Sequence, residues 1–234
     1  MTSTQFLWEP PPAPSLPVRG SGARMPLRRI FCVGRNYHGH AAEMGAPVDK
    51  QTMRPFYFFK DPGSIVESGT CIPYPPGTDN LHYEMELVLA IGKPGFRVSE
   101  SEAGQMVFGY AAGLDLTRRD LQLRARESGK PWDLAKNFEN AAVCSEIVPS
   151  ETILDSGAIS LEVNGLMRQQ ADLSMLIWSI PELIADLSSF YHLQPGDLIY
   201  TGTPEGVGAL APGDRLTGQV EGVGQITLSI GPAE

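Results

Sequence analysis

The stretch HYEMELVLAIG, residues 82–92, decides the fold. Residues 87–91 form an unbroken apolar run, which is typical of a strand that is covered on both faces. Two acidic residues, Glu84 and Glu86, precede this run. Side chains two apart in a strand point to the same face, with Cα atoms about 6.6 Å apart at a rise of about 3.3 Å per residue. The pattern therefore predicts a buried strand with two carboxylates side by side where it begins.

Similar short runs occur along the rest of the chain, separated by the 25 Gly and 20 Pro residues that punctuate a β-rich body. A length of 234 residues with 42% hydrophobic residues is enough for one main domain with a substantial core. We expect a β-rich body with many turns and few helices. The other predicted strands span residues 29–33, 56–59, 110–116, 142–148, 159–163, 197–201 and 226–230.

Residues 1–26 contain six prolines, a density that excludes a helix or an inner strand. We predict a proline-rich N-terminal arm over 1–26, either frayed or laid over the body, and a single catalytic domain over 27–234. Few helices are expected. Residues 37–44 predict a short, weak one, and three others are predicted from a hydroxyl three residues before an acid: Ser99 with Glu102, Thr117 with Asp120, and Ser179 with Glu182.

The overall charge and the cysteines exclude several classes of protein. The net charge is −9, with 18 basic residues scattered among 27 acidic ones, which argues against nucleic-acid binding. No apolar run approaches the roughly 18–20 residues that span a bilayer, and the N-terminus lacks a signal pattern. Three widely separated cysteines do not form a disulfide framework or a zinc site. We expect a cytoplasmic protein without a nucleic-acid or membrane partner.

A third acidic residue, Asp115, ends another apolar strand, and sites are usually built where strands end. If the three carboxylates meet, each pair about 4 Å apart repels by roughly 4 kcal/mol at an effective dielectric of 20, so positive charge must lie between them. An all-oxygen set selects Mg²⁺, Mn²⁺ or Ca²⁺ over zinc. From Glu84 and Glu86 alone, a polar face on an edge strand remains the alternative.

The segment GRNYHGHAAEM, residues 34–44, contains a candidate general base. On a helix, His40 and Glu43 stand at i and i+3, so the carboxylate can hold the imidazole and raise its basicity. An incidental surface pair is the alternative, and a metal pair of His38 and His40 ranks last because these residues face different sides of a helix. The segment PGDLIYTGTPEGVG, residues 195–208, offers backbone N–H groups for an oxyanion, although a plain glycine turn has the same pattern.

Taken together, these segments resemble the fumarylacetoacetate hydrolase family. The resemblance runs in family order across roughly residues 29–230. The segments closest to its fumarylpyruvate hydrolase branch are LRRIFCVGRNY, residues 27–37, and PWDLAKNFENAAV, residues 131–143. The matching motifs are GRNYHGHAAEM (34–44), HYEMEL (82–87), GLDLTRRDLQ (113–122), AKNFE (135–139), VNGLMRQQADLSMLIWSIPELIADLSSF (163–190) and PGDLIYTGTPEGVG.

The resemblance implies an α+β fold, a β-rich roll of mixed sheets with a few peripheral helices, and a metal held by Glu84, Glu86 and Asp115. A homodimer is implied as well, since members of the family are commonly dimeric. It also implies that His40 and Glu43 are a catalytic dyad on a lid that orders over substrate, and a weak helix suits a lid. Lys136 is an isolated basic residue among aromatic ones and by itself carries little signal. The resemblance implies that it stabilises the negative charge that develops on the leaving group. The residues implied to contact substrate are Gln122 and Thr203, with Arg35 and Arg119 as weaker candidates.

The function implied is metal-dependent hydrolysis of the C–C bond of a 2,4-dioxo acid, with fumarylpyruvate giving fumarate and pyruvate. Decarboxylation of oxaloacetate or isomerisation of a dioxo acid on the same site is the alternative, and a non-catalytic ligand-binding protein is a third. The chain departs from the family at Asp61, where many members place lysine before Pro62. Either Lys60 substitutes through a shift in register, or the substrate differs.

Overall fold

A computed structural model describes residues 5–233 of the chain. Most of its regular structure is β, as predicted. The strands are β1 (Ser15–Pro17), β2 (Arg24–Pro26), β3 (Arg29–Gly34), β4 (Phe56–Lys60), β5 (Ile65–Glu67), β6 (Cys71–Tyr74), β7 (Leu81–Tyr83), β8 (Met85–Ile91), β9 (Val107–Asp115), β10 (Thr117–Arg118), β11 (Ala142–Cys144), β12 (Val148–Pro149), β13 (Ala158–Val163), β14 (Leu166–Asp172), β15 (Asp197–Tyr200), β16 (Gly208–Ala209), β17 (Arg215–Val220) and β18 (Gly224–Ala233).

The helices are short and lie at the periphery. They are α1 (His38–Glu43), α2 (Glu100–Ala103), α3 (Arg119–Glu127), α4 (Asp133–Lys136) and α5 (Ile180–Ser188), with 3₁₀ turns at Pro62–Ser64, Gly104–Met106 and Leu173–Met175. Within residues 5–233, none of these helices has the length and apolar character that crossing a membrane requires.

The largest sheet carries the predicted buried strand at its centre. Its strand order is β4-β3-β15-β8-β9-β11-β5, with β12 also paired to β9. All seven residues of β8 are buried, which confirms the covered strand. Leu87 and Leu89 belong to one hydrophobic cluster, whereas Val88 and Ala90 belong to another. Both faces of the strand are therefore covered, as the unbroken apolar run predicts.

A second sheet, with strand order β14-β13-β17-β18-β6, packs against one face of the first. The main hydrophobic cluster includes residues of both sheets, such as Leu89 and Leu161. A small sheet of β10, β7 and β16 closes one end. The mixed sheets and peripheral helices confirm the predicted fold class.

The proline-rich segment is exposed over residues 5–13 and then lies over the body. β1 and β2 form a ribbon, and Leu16 is fully buried in the second cluster. Val18 forms a bridge with Ile147 beyond the ribbon. The first four residues of the predicted arm and Glu234 fall outside the described part of the chain.

Two of the three predicted helix starts are confirmed, because Ser99 and Ser179 form capping boxes on α2 and α5. The third is wrong. Thr117 lies in β10, and α3 begins after Arg118, which makes no side-chain cap. The Asp120 carboxylate accepts a hydrogen bond from Thr78 at 2.5 Å. The predicted strand over 142–148 is also two strands, β11 and β12, because the chain leaves β9 between them.

Candidate active site

The three predicted carboxylates meet at one edge of the large sheet. β8 runs antiparallel to both β9 and β15, so the start of β8 lies beside the ends of its neighbours. The Asp115 N–H donates to the Glu84 carbonyl at 2.9 Å, which fixes the two residues side by side. Ligand atoms of Glu84, Glu86 and Asp115 all lie within 4.8 Å of one another, and the three residues are buried.

Cations already compensate two of the three carboxylates. Lys136 Nζ donates to Glu84 Oε2 at 2.7 Å and to Asp115 Oδ2 at 2.8 Å. Arg119 donates to the other oxygen of Glu84, and Lys60 Nζ lies 2.9 Å from Asp115 Oδ1. The expectation that positive charge lies among the carboxylates is confirmed, but much of it comes from the protein itself. The repulsion argument alone therefore does not require a metal ion.

Glu86 has a different environment. Its Oε2 accepts one hydrogen bond, from the Gly202 N–H at 2.7 Å, and no Lys, Arg or His nitrogen within residues 5–233 forms an ion pair with it. Burial, Asp115 and Glu84 together raise the pKa of Glu86 well above its usual range. Burial would also raise the pKa of Glu84, but Lys136 and Arg119 outweigh it and lower that pKa. A divalent ion would supply the positive charge that Glu86 lacks.

The donor atoms fit such an ion. Asp115 Oδ1 is buried and accepts no well-aligned hydrogen bond, although the Lys60 ammonium is close. Within residues 5–233, these three residues are the one cluster of three or more potential ligands from His, Cys, Asp or Glu side chains. Carboxylate oxygens alone favour a hard ion such as Mg²⁺ or Mn²⁺.

The backbone donor to Glu86 depends on a glycine. Gly202 has φ of +102°, a conformation that residues with a side chain rarely adopt. A Cβ at this position would lie 2.7 Å from the Asn36 Cβ. The Gly-rich turn after β15 therefore places one N–H on a carboxylate of the site, as the sequence predicts for an oxyanion, although the anion is Glu86 itself.

His40 and Glu43 form the predicted pair on α1. His40 Nδ1 lies 3.3 Å from Glu43 Oε2, and the Gly206 N–H donates to Glu43 Oε1 at 3.3 Å. Burial lowers the pKa of His40, while Glu84 and the Glu43 hydrogen bond act in the opposite direction. The environment of His40 therefore favours its uncharged form. His38 is exposed, which argues against a metal pair of the two histidines.

A cavity of about 140 Å³ connects the dyad to the carboxylates. Eight of the ten predicted site residues line it: Arg35, His40, Glu84, Glu86, Arg119, Gln122, Lys136 and Thr203. The other two contact residues that line the cavity. Glu43 lies beside His40, and Asp115 accepts a hydrogen bond from Lys136. Thr203 Oγ1 accepts a hydrogen bond from Gln169 Nε2 at 2.9 Å, which orients the hydroxyl.

Two residues that line the cavity, Arg126 and Trp132, were not predicted from the sequence. Lys60 was predicted only as a substitute for the family lysine, and it lies beside Asp115. Arg126 could have been predicted from its spacing, because it lies on the same face of α3 as Arg119 and Gln122. Lys60 is a single basic residue in an aromatic run, and nothing in its spacing indicates a partner.

The departure at Asp61 is explained by Lys60. Asp61 caps the 3₁₀ turn that follows it, with Oδ1 accepting from the Gly63 N–H at 2.7 Å. Lys60 is buried and donates to the carbonyls of Leu116 and Lys136. Lys60 therefore provides the cation, and Asp61 provides a turn.

Comparison with known proteins shows the family to which this chain belongs. Residues 29–230 match the family described as fumarylacetoacetate (FAA) hydrolase C-terminal. The chain belongs to the fumarylacetoacetate hydrolase family. Within this family it is 62% identical over 192 residues to a fumarylpyruvate hydrolase of a Ralstonia species, covering 82% of this chain and all of the relative. It is 38% identical over 205 residues to the human mitochondrial oxaloacetate tautomerase FAHD1, covering 87% of this chain and 91% of the relative.

A solved family member has nearly the same structure. The crystal structure of fumarylpyruvate hydrolase from Pseudomonas aeruginosa, in complex with Mn²⁺ and pyruvate, superposes with a TM-score of 0.93 at 44% identity, over 97% of this chain and all of that one. Together with the carboxylate cluster, this relative supports divalent-metal binding by the present chain.

Proposed function

We propose that this protein is a metal-dependent hydrolase that cleaves the C3–C4 bond of a 2,4-dioxo acid, with fumarylpyruvate giving fumarate and pyruvate. The observation that carries the proposal is the convergence of a carboxylate cluster and the hydrogen-bonded His40–Glu43 pair on one cavity. The identity of 62% to a fumarylpyruvate hydrolase supports the choice of substrate.

Glu84, Glu86 and Asp115 would hold Mg²⁺ or Mn²⁺, with Ca²⁺ as a further candidate. When bound, the ion supplies the positive charge that polarises the carboxylate and 2-oxo end of the substrate and stabilises an enolate leaving group. Lys136 shares this work, because its ammonium contacts both Glu84 and Asp115 and lines the cavity. The two oxygens keep the ammonium charged, since they raise the pKa of Lys136 against the effect of burial.

His40 activates the water in this mechanism. The free ring nitrogen takes a proton from water as the hydroxyl oxygen bonds to C4 and the C4 carbonyl becomes an alkoxide, while Glu43 holds the other nitrogen and stabilises the imidazolium. The alkoxide then re-forms a carbonyl as the C3–C4 bond breaks, and the electron pair of that bond moves into the pyruvate enolate. The imidazolium returns the proton to C3, and the new carboxylic acid releases its own proton to solvent. Fumarate and pyruvate leave.

We propose Arg35, Arg119, Gln122 and Thr203 as substrate contacts, since all four line the cavity. Arg119 already contacts Glu84 and Gln122, so its position depends on the metal centre. Gln122 and Thr203 are buried and polar, and they offer an amide and a hydroxyl to the oxygens of a dioxo acid.

Oxaloacetate tautomerisation is the second candidate, because several relatives at about 40% identity carry that activity in their names. Decarboxylation of oxaloacetate needs no activated water, whereas tautomerisation moves a proton and can use the same base as hydrolysis. Loss of His40 therefore separates hydrolysis from decarboxylation, and the substrate panel separates hydrolysis from tautomerisation.

The test is a panel of fumarylpyruvate, other acylpyruvates, fumarylacetoacetate and oxaloacetate with Mg²⁺, followed by the near-ultraviolet absorbance of the enols. His40→Ala should abolish hydrolysis and spare any decarboxylation of oxaloacetate. His38→Ala is the matched control, since this exposed residue lies on the same helix. Loss of both reactions in His40→Ala would contradict water activation, and absence of turnover with every substrate would favour a ligand-binding protein.

We further propose that the protein is a cytoplasmic homodimer that uses Mg²⁺. The three cysteines are free, which agrees with a reducing compartment. Light scattering after size exclusion tests the dimer, and activity with Mg²⁺, Mn²⁺ and Ca²⁺ after chelation ranks the metals.

A further inference from the structure

The cavity contains two arginines that are not paired with any acid. Neither Arg35 nor Arg126 forms a salt bridge within residues 5–233, whereas Arg119 in the same cavity is paired with Glu84. Arg35 Nε is buried without a hydrogen-bond partner. We call Arg35 and Arg126 the outer arginine pair, because they are more exposed than the buried carboxylates.

Like charges at this end of the cavity oppose each other. Burial lowers the pKa of Arg35, and the charge of Arg126 lowers it further. Partial burial of a guanidinium costs free energy, and an anion that accepts its hydrogen bonds reduces this cost. No acid within residues 5–233 forms a salt bridge with either arginine, so both guanidinium charges are available to an anionic ligand.

The backbone of Arg35 is unusual. Its φ is +60°, in the left-handed region that residues other than glycine seldom occupy. Such residues cluster at functional sites, where the surrounding structure holds them in place. Here the conformation follows the end of β3, and the side chain lines the cavity and lies over the Phe56 ring at 5.5 Å from its centroid.

Helix α3 sets the distance between the two ends of the cavity. Arg119, Gln122 and Arg126 follow one another at spacings of three and four residues, so they share one face. Seven residues of helix advance about 10 Å, so Arg126 lies about that far from the residue that contacts Glu84. The row runs from the metal centre to the outer arginine pair.

A fumarylpyruvate molecule has the matching charge pattern. It carries one carboxylate beside the 2-oxo group and a second carboxylate at the far end of the acyl group. We infer that Arg35 and Arg126 bind this distal carboxylate and thereby select acylpyruvates whose acyl group ends in an acid. The inference rests on the proposed function and adds a specificity-determining residue, Arg126, to it.

Arg126 also has a second role that the test must separate. Its Nη1 donates to the Met44 carbonyl at 2.7 Å, just after α1, and Nη2 is 3.4 Å from the Gly45 carbonyl. A guanidinium has five N–H donors, so others remain for a ligand. Loss of the α1 contact would slow every substrate equally, whereas loss of carboxylate binding would slow only substrates that carry the distal acid.

The experiment compares fumarylpyruvate with crotonylpyruvate, in which a methyl group replaces the distal carboxylate. For the wild type we expect kcat/KM to be higher with fumarylpyruvate. Arg126→Met should lower kcat/KM for fumarylpyruvate at least about tenfold more than for crotonylpyruvate, mainly through KM, because a charge-assisted hydrogen bond is lost. Arg126→Lys should retain part of the preference, since it keeps the charge without the fork.

Arg124→Met is the matched control. This residue lies on the same helix, pairs with Asp120 and lies outside the active-site cavity, so its substitution should leave the substrate preference unchanged. Arg35→Lys changes the other member of the outer arginine pair. It should also reduce the preference for fumarylpyruvate over crotonylpyruvate. Thermal unfolding of each variant checks that it is folded.

The inference is overturned if Arg126→Met slows both substrates by the same factor, or if the wild type hydrolyses them equally well. Either result would leave the proposed hydrolysis intact. Absence of hydrolysis for both substrates in the wild type, with Mg²⁺ or Mn²⁺ present, would instead overturn the proposed function.

Discussion

Glu84 and Glu86 lie two positions apart, yet the protein shifts their pKa values in opposite directions. The difference comes from their neighbours, because Lys136 and Arg119 contact Glu84 and a single backbone N–H contacts Glu86. A carboxyl whose pKa is lowered in the folded state stabilises the protein above its unfolded pKa. One whose pKa is raised destabilises it as pH rises.

Glu84→Gln and Glu86→Gln should therefore change the stability of the metal-free enzyme differently at neutral pH. Glu84→Gln should cost roughly 3–5 kcal/mol, because it leaves buried cations without their partner. Glu86→Gln should be neutral or stabilising, and it should abolish the rise in Tm that Mg²⁺ gives the wild type. Thermal unfolding with chelator and with Mg²⁺ measures both. Equal destabilisation by the two substitutions would contradict the assigned environments.

We expect His40 to set the pH dependence of the proposed reaction. Burial lowers its pKa below the usual 6.5, so the neutral base persists into mildly acidic solution and activity falls only as pH drops through the lowered value. Glu43→Gln removes a contact that raises this pKa, so the acidic limb should move to still lower pH. The maximal rate should fall about 100-fold, a magnitude typical of general-base catalysis. A limb that moves upward in the pH–rate profile would rule out Glu43 as the partner.

Lys60 and Asp61 are neighbours with different tasks. Lys60→Met should destabilise the protein by roughly 3–5 kcal/mol, because Asp115 loses a buried partner and two carbonyls lose a donor. Asp61→Asn keeps an oxygen for the Gly63 N–H and should cost less than about 1 kcal/mol. Denaturant unfolding of the two variants compares them directly. A larger loss in Asp61→Asn would mean that Asp61 is the residue that matters.

At the scale of elements, the contrast between α1 and β8 has a functional meaning. β8 is central in the large sheet and wholly buried, whereas α1 has six residues and makes no side-chain N-cap. Isolated helices of this length are marginal, so most of the stability of α1 comes from contacts with the body. Those contacts include Glu43 with Gly206 and Arg126 with the carbonyl of Met44.

Hydrogen exchange should detect this difference. Amides of residues 38–43 should exchange much faster than those of residues 85–91 in the free enzyme, and Mn²⁺ with pyruvate should slow the former selectively. Mass spectrometry of peptides from the two segments provides the measurement, with α5 as an internal control for a capped helix. Protection of α1 equal to that of β8 without ligand would contradict a lid that orders over substrate.

The short-range patterns explain which elements could be predicted. Ser179 and Glu182 lie within one turn and form their capping box as expected, because the box depends only on local geometry. Thr117 has the same spacing, but it pairs with β7 as part of a strand. β7 is distant in sequence, so the local pattern around Thr117 does not indicate this pairing. The tertiary contact overrode the local signal.

For the whole molecule, the site depends on contacts between segments that are distant in sequence. Glu84 and Glu86 could be predicted because acidic residues at a buried strand stand out, and Asp115 because it ends another such strand. The partner of Lys60 could not be predicted, since Lys60 lies in β4 and Asp115 in β9, which are not neighbours in the sheet. The spacing of His40 and Glu43 indicated a candidate base, whereas the role expected of Lys136 came only from the resemblance to the family.

The most direct test is the metal dependence of fumarylpyruvate cleavage. The enzyme is freed of metal with a chelator, and the loss of enol absorbance and the formation of pyruvate are followed before and after addition of Mg²⁺ or Mn²⁺. We predict no cleavage without metal, full recovery with it, and no recovery in Asp115→Asn, whose carboxylate is part of the cluster. Cleavage that continues at the full rate in the chelated enzyme would contradict the account.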